Sequence, residues 1–379
     1  MKELEVIDRL RKAFPGCGIG DDAAVLPGVE GELLFAADAS AEGVHFRRGL
    51  CTLSQAVQKL VTSNVSDIFA MGGVPGSIVF TAGLPEGCTP ADVDGIIDGL
   101  RRSCAQYGVS LVGGDTVLSP GAYFFNVAIV GEARPGRAIR RSGARAGDSI
   151  VLFGAIGSSS AGLGILSALH GEPPGEGAPA PRIPGLSGSA SSLKKMLGSL
   201  SLATSPAELA RMAGALGAGP MGEALVDLVR QHLVPVARPL DAALLDAEPP
   251  CVTAMIDVSD GLAKDLRTLC EESGVGAVVR EETLPVPPAV GELFGLKGAS
   301  LVDFAVSSGE EYVMLATVSR EGVGLLGGAV SSRPGGGGVN ALAGASVIGS
   351  VVPAADGVVL VDRSGRTRPM PKLGYEHSF

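Results

Sequence analysis

The chain of 379 residues contains no tryptophan, 4 tyrosines and 11 phenylalanines, so any aromatic wall for a ligand has to come from Tyr or Phe. Its six cysteines (Cys17, Cys51, Cys88, Cys104, Cys251 and Cys270) include no C-x-x-C pair. That spacing indicates neither a zinc site nor a disulfide framework, and reduced, packed thiols are the simpler expectation. No apolar run reaches the roughly 18 residues that a membrane span needs. The N-terminal Met1-Lys2-Glu3-Leu4-Glu5 is charged and lacks a signal-peptide core. Basic residues are outnumbered 30 to 40, and the net charge of −10 argues against non-specific binding to nucleic acid or to membrane surfaces. A soluble, cytoplasmic protein with neither nucleic-acid nor membrane partners is expected.

What the chain does have is length and scattered acids. It is long for one core, and 46% of its residues are hydrophobic, so two domains are the expectation. Four acidic phrases stand out: Gly20-Asp21-Asp22, Val65-Ser66-Asp67, Gly113-Gly114-Asp115 and Asp257-Val258-Ser259-Asp260. Each falls at the end of an expected strand or near an expected helix, and Asp38 adds a fifth place. Brought together, these carboxylates would repel one another and raise each other's pKa unless a cation neutralised them. Magnesium with a polyphosphate is the usual reason to tolerate such a site, so the pattern reads as a nucleotide enzyme.

Periodicity places these phrases. Residues 33–37 read as a buried strand ending at Asp38. From Thr52 to Met71, Leu53, Val57, Leu60, Val61 and Ile68 recur at helical spacing, with Asn64 and Asp67 on or beside the apolar stripe. Thr89 can cap a helix that has Pro90 in its first turn and Gly108 at its end. Strands are expected over 109–112, 123–130, 148–153 and 251–256, and helices over 158–170, 221–232 and 262–272. Residues 171–190 hold five glycines and five prolines, a composition with little to bury. Roughly 171–220 is therefore expected to be a dispensable insertion with at most one short helix, making few contacts between about 171 and 200. Val-Ser-Asp occurs once in each half, at 65–67 and 258–260, which suggests two related half-molecules.

Each candidate has a plainer reading. Gly18-Ile-Gly-Asp-Asp is either a flexible approach to a metal–phosphate group or a surface turn; two acids before an apolar strand favour the first. Asp38 and Asp115 alone would be ordinary strand-end carboxylates, although Gly113-Gly114 permits close backbone approach. Ser259-Asp260 is also an ordinary helix cap. Asp257 ends an apolar strand, where open α/β sheets bind ligands. His45 has no evident Ser–His–Asp partners. Arg141 meets a phosphate or belongs to a solvated basic run. The turn Gly154-Ala-Ile-Gly157 lacks the Lys of a P-loop.

In order, GIGDDAAVL (18–26), EGVHF (42–46), NVSDIFAMGG (64–73), LVGGDT (111–116), RSGARAGD (141–148), DVSDGLAKDL (257–266), SGVGA (273–277), SGEEY (308–312) and GYEHSF (374–379) resemble the thiamine-monophosphate kinase family of the aminoimidazole-ribonucleotide-synthetase superfamily. The resemblance implies an α/β (α+β) fold of two domains, 1–140 and 141–379, the second carrying the insertion near 171–220. The N-terminal mixed-sheet domain would form a homodimer through its sheet, with ATP in the cleft between domains. It implies magnesium ligation by Asp22, Asp38, Asp67, Asp115, Asp257 and Asp260, with Asp22, Asp67, Asp260 and Arg141 catalytic. Nucleotide contacts fall on Tyr107, Gly114, Asp115, Arg141 and Ser259, and substrate contacts on His45, Glu310 and Tyr375. The implied reaction is direct in-line transfer of the ATP γ-phosphoryl group to thiamine monophosphate.

The chain departs from the family pattern at Ala36-Ala37, where hydroxyl residues usually precede the Asp, at Leu118, at Glu311 and at Lys372, where the family usually has Trp. Two other readings compete with the kinase. One is a superfamily enzyme using ATP to activate another small molecule; the other is a weakly catalytic nucleotide-binding protein.

Overall fold

The computed structural model describes residues 3–14, 28, 30–172, 179–181, 197–200, 204, 208–209, 211–212, 220–326, 344–372 and 374–375. The acidic phrase at 20–22, most of the insertion and residues 376–379 lie outside these.

Two mixed sheets organise the chain. The first contains β1 (Glu32–Ala41), β2 (Val74–Pro85), β3 (Ser110–Ser119) and β4 (Phe124–Ala133) in the order β1-β4-β2-β3. β4 runs antiparallel to both of its neighbours, and β2 pairs with β3 in parallel. The second contains β5 (Ser149–Phe153), β6 (Val252–Asp257), β7 (Val275–Arg280), β8 (Met314–Val318), β9 (Ala345–Pro353), β10 (Val358–Val361) and β11 (Thr367–Pro369), ordered β11-β10-β7-β9-β5-β8-β6. Its helices are α4 (Ser158–Leu169), α5 (Pro220–Leu233), α6 (Ala242–Leu245), α7 (Leu262–Ser273), α8 (Pro288–Phe294) and α9 (Ala299–Val306). Helices α1 (Glu3–Ala13), α2 (Leu53–Ala70) and α3 (Pro90–Tyr107) accompany the first sheet. No helix among the described residues is long and apolar enough to cross a membrane.

α2 is the axle of the molecule. Thr52 and Gln55 close a capping box at its start, and every residue except Ser54, Ser63 and Asp67 is buried. One core joins it to the inner face of the first sheet (Ile78, Phe80, Phe125, Val127, Ile129) and to the near face of the second (Val151, Met255, Met314, Ala316). The far face of the second sheet packs on α7 and α9 in a separate core. A helix buried on all sides has to give each of its polar groups a partner. Gln58 donates to the Ser54 carbonyl, Asn64 to the Leu60 carbonyl, Thr62 bonds the Tyr107 hydroxyl, and Ser66 donates to Asp257.

The insertion is more engaged than its composition suggests. Leu197, Leu200 and Leu209 are buried against α4, α5 and α8, and Gln55 donates to the carbonyls of both Leu197 and Leu200. The expectation of few contacts is therefore corrected at this end of the segment. Proline and glycine dominate only up to residue 190, whereas the leucines beyond carry an apolar anchor. β2 had no counterpart in the sequence reading, because its glycines and prolines mask the alternation of Ile78, Phe80 and Ala82.

Candidate active site

Strand alternation decides where the first acid points. In β1, Leu34 and Ser40 are buried while Leu33 and Phe35 are exposed, so Asp38 shares the inner face with Leu34 and looks toward α2. Its amide donates to Asn64 Oδ1 at 3.2 Å. From α2, Asp67 is one of the three residues not buried. β6 delivers Asp257 at its carboxyl end, 3% exposed, with Ser66 Oγ donating to its Oδ2 at 2.7 Å. The Val-Ser-Asp phrases of the two halves thus meet, the serine of one touching the aspartate that precedes the other.

Charge ties the cluster together. Burial, then Asp257 and Asp38, push the Asp67 carboxyl up to about 8, with Arg141 opposing. Asp257 rises to about 6 through burial and the field of Asp38, partly offset by Ser66 and Arg141. Asp38 is raised by burial and by Asp260, against help from Ser63 and His45. Four carboxylates from three elements and one turn therefore share a field, with Arg141 the cation felt by both Asp67 and Asp257. Among the described residues, only Asp260 of the four has an ion-pair partner, Lys264 Nζ at 2.6 Å.

Two residues of this region escaped the sequence reading. Asp265 Oδ2 accepts the amides of Ser259, Asp260 and Gly261, each at 3.1 Å. It thereby fixes the turn into α7, whose N-cap, Gly261, offers no side chain. Burial and the charges of Asp257 and Asp260 raise its carboxyl to about 7. Lys264 also donates to the Tyr375 carbonyl at 2.7 Å, and the Tyr375 amide donates to the Asp260 carbonyl, so the C-terminal segment is laced to the acid turn. An acid in the first turn of α7 was the available signal for Asp265; nothing local marked Lys264.

The remaining candidates are dispersed. Asp115 does not join the cluster. It pairs in register with Thr81, and Thr81 with Asn126, whereas Asp38 pairs with Val127. Asp115 therefore lies on the outer face of the sheet, at its edge strand, and its carboxylate accepts the Thr116 amide. Gly114 is required by packing, since a Cβ there would lie 2.0 Å from the Phe80 carbonyl oxygen. The Tyr107 hydroxyl is taken by Thr62 and the Ala237 amide, a tie between α3, α2 and the second half rather than a place in the cluster. His45 Nδ1 accepts the Ala41 amide at 3.1 Å, and its ring is among the groups that oppose the rise of the Asp38 carboxyl. Glu310 accepts Lys59 Nζ at 2.8 Å. Asp22 lies outside the described residues. The Gly154–Gly157 turn meets a carboxylate instead of a phosphate: Glu311, fully buried, accepts the Ser159 amide at 3.1 Å at the start of α4.

Residues 20–133 match the family described as "AIR synthase related protein, N-terminal domain". Thiamine-monophosphate kinase of Aquifex aeolicus is 29% identical over 320 residues, covering 84% of this chain and 86% of that protein. The chain is similar to thiamine-monophosphate kinases. The kinase of Pyrococcus horikoshii is 27% identical over 377 residues, covering 100% of this chain and 96% of its own. Among solved structures, AaThiL complexed with AMPPCP and TMP is 27% identical with a TM-score of 0.63, covering 99% of this chain and 97% of that one. The likeness to these kinases thus spans both sheets.

Proposed function

We propose that the protein transfers the γ-phosphoryl group of ATP directly and in line to thiamine monophosphate, giving thiamine diphosphate. The observation that carries the reading is the cluster of Asp38, Asp67, Asp257 and Asp260, largely uncompensated by cations, in a chain that aligns over most of its length with thiamine-monophosphate kinases. A relative solved with AMPPCP, an ATP analogue, and TMP supports both ligands.

The donor set suits magnesium, being hard carboxylate oxygens with excess negative charge. Among the described residues, no three His, Cys, Asp or Glu side chains are close enough to hold a metal by themselves. That fits an ion shared between one or two carboxylates and phosphate oxygens, the usual arrangement for magnesium. Asp38, Asp67, Asp257 and Asp260, with Asp22 from the preceding segment, would supply those carboxylates, one or two to each of several ions. When bound, magnesium would neutralise the phosphate oxygens and so lower the cost of charge approaching charge.

The chain's own groups do the rest. The acceptor is already an anionic phosphate, so no strong base is required, and catalysis reduces to alignment and charge neutralisation. Arg141, within the field of Asp67 and Asp257, suits a phosphate in bidentate contact. Ser259, in the turn fixed by Asp265, would contact the nucleotide. His45 and Glu310 would contact the acceptor, and Tyr375 would offer an aromatic wall in the absence of tryptophan.

A homodimer through the first sheet belongs to the same reading. Leu33, Phe35, Val74, Val79 and Phe124 are between 39% and 71% exposed on its outer face, an apolar surface that monomers seldom leave in water. An assay of ATP consumption against a panel of phosphorylated metabolites tests the function. Magnesium-dependent formation of thiamine diphosphate is expected. Consumption with another acceptor, and none with thiamine monophosphate, would assign a different substrate.

A further inference from the structure

Three consecutive residues after Gly309 bind the loop before β8 to three parts of the molecule. Glu310 reaches α2, Glu311 sits beneath the first turn of α4, and Tyr312 enters the central core. The backbone is held in an uncommon shape to do so, with φ of +58° at Glu310 and +50° at Tyr312, neither of them glycine. The Glu310 amide donates to the Ser259 carbonyl at 2.7 Å, and the Tyr312 amide to the Val258 carbonyl at 2.8 Å. Gly309 has no room for a side chain, since a Cβ would lie 2.9 Å from the Ser259 carbonyl oxygen. The loop is therefore laced onto the same turn that carries Ser259 and Asp260.

Lys59 is the side chain that this arrangement aims at. It lies in α2 with its side chain 10% exposed, and a buried ammonium is costly unless paired. Its partner is Oε2 of Glu310 at 2.8 Å, and the Glu310 side chain is 31% exposed. The same oxygen lies 3.6 Å from His232 Nδ1. Burial, Lys59 and Arg47 keep His232 neutral, so Lys59 supplies the positive charge of the group. Lys59 precedes Asp67 by eight residues on one helix, which at 1.5 Å per residue sets the two about 12 Å apart along its axis. Phosphates at the acid end of α2 would leave the ring end of an extended acceptor near Lys59 and Glu310.

We propose that Lys59 is a positioning residue for acceptor recognition: its ammonium pins Oε2 of Glu310, so that Oε1 is presented to a hydrogen-bond donor on the ring end of the substrate. The proposal rests on the reading of Glu310 as a substrate contact and of thiamine monophosphate, whose pyrimidine carries an amino group, as the acceptor. Lys59 touches Glu310 and lies about 12 Å along α2 from Asp67. Losing it should therefore affect acceptor binding and spare both nucleotide binding and the chemical step.

Steady-state kinetics of Lys59→Met, Lys59→Arg, Glu310→Gln and the double variant Lys59→Met/Glu310→Gln test this in the full chain. Lys59→Met is expected to raise KM for thiamine monophosphate about tenfold while KM for ATP and kcat stay within about twofold. Lys59→Arg should recover most of that loss, and Lys59→Met should add little on the Glu310→Gln background. An equal rise in KM for ATP, a loss in kcat alone, or no change in either KM would overturn the proposal. A double-mutant cycle on urea unfolding reads the pairing without any substrate: non-additive effects support it, and additive ones overturn it. Should wild-type protein leave thiamine monophosphate untouched while the cycle is non-additive, the substrate reading fails and the Lys59–Glu310 pairing stands.

Discussion

At the scale of single residues, the buried carboxylates set function against stability. Asp257, 3% exposed and accepting from Ser66, is costly to ionise in the metal-free fold. Asp257→Asn should lower kcat/KM by about a hundredfold or more, in the range seen when a preorganised electrostatic contact is removed, and should raise the urea midpoint of the metal-free protein at pH 8. Turnover assays and urea melts on the same preparations check both. The pH dependence follows from the same groups. Asp67 and Asp257 hold their protons to about 8 and about 6, against an ordinary 3.8, and Asp265 and Glu311 to about 7. The unfolded chain releases these protons near pH 4, so between about pH 4 and 8 the folded state binds more protons than the unfolded one. Metal-free stability must then fall as pH rises through this window. Thermal midpoints in chelator should decline from pH 5.5 to 8.5, and magnesium with ATP should flatten the slope by replacing protons with cations. A slope indifferent to magnesium would remove the acid cluster as its origin.

At the scale of elements, α2 shows how far pattern reading reaches. Its limits, its capping box and the apolar stripe of Leu53, Val57, Leu60 and Val61 are local properties, and the helix formed over 53–70 as 3.6-residue spacing requires. That nearly every other face is buried as well is not local. Gln55, Lys59, Thr62 and Ser66 look like a solvated face in sequence and become cross-links to the insertion, the loop before β8, α3 and β6. β2 was obscured by Pro75, Gly76 and Gly83, because strand pairing there is set by the neighbouring β4. The insertion supplies the prediction at this scale. Leu200 is 2% exposed in the core shared with α4 and α5, so Leu200→Ala should cost about 2–5 kcal/mol in urea unfolding. Calorimetric ATP affinity should stay within about twofold of wild type. A large loss of affinity would mean that the segment contributes to the site directly.

At the scale of the whole molecule, the exposed apolar face of the first sheet has the character of an interface. Phe35, 70% exposed, lies on β1 beside Leu33 and across from Val130. A twofold-symmetric contact would bury it twice, so Phe35→Asp should weaken the dimer by about 2 kcal/mol or more per side, roughly thirtyfold each. Sedimentation at micromolar concentration should show a wild-type dimer and a monomeric variant. A monomeric wild type would leave the face to another partner.

What the sequence determined by itself was chemistry and local geometry. It supplied the carboxylate types, their strand-end and helix positions, the caps at Thr89 and Gly108, and an ordered set of phrases that resemble the kinase family. These depend on residues within a few positions of one another, where hydrogen-bond geometry and periodicity act. The tertiary structure alone decided which acids share a field. Asp38 and Asp115 are both strand carboxylates near the same sheet, yet pairing register turns one toward α2 and the other to the outer face. Register is a property of two strands together, and a shift of one residue exchanges the faces. The same holds for Lys59, whose partner Glu310 lies 251 positions along the chain: only folding could bring that carboxylate to a buried ammonium.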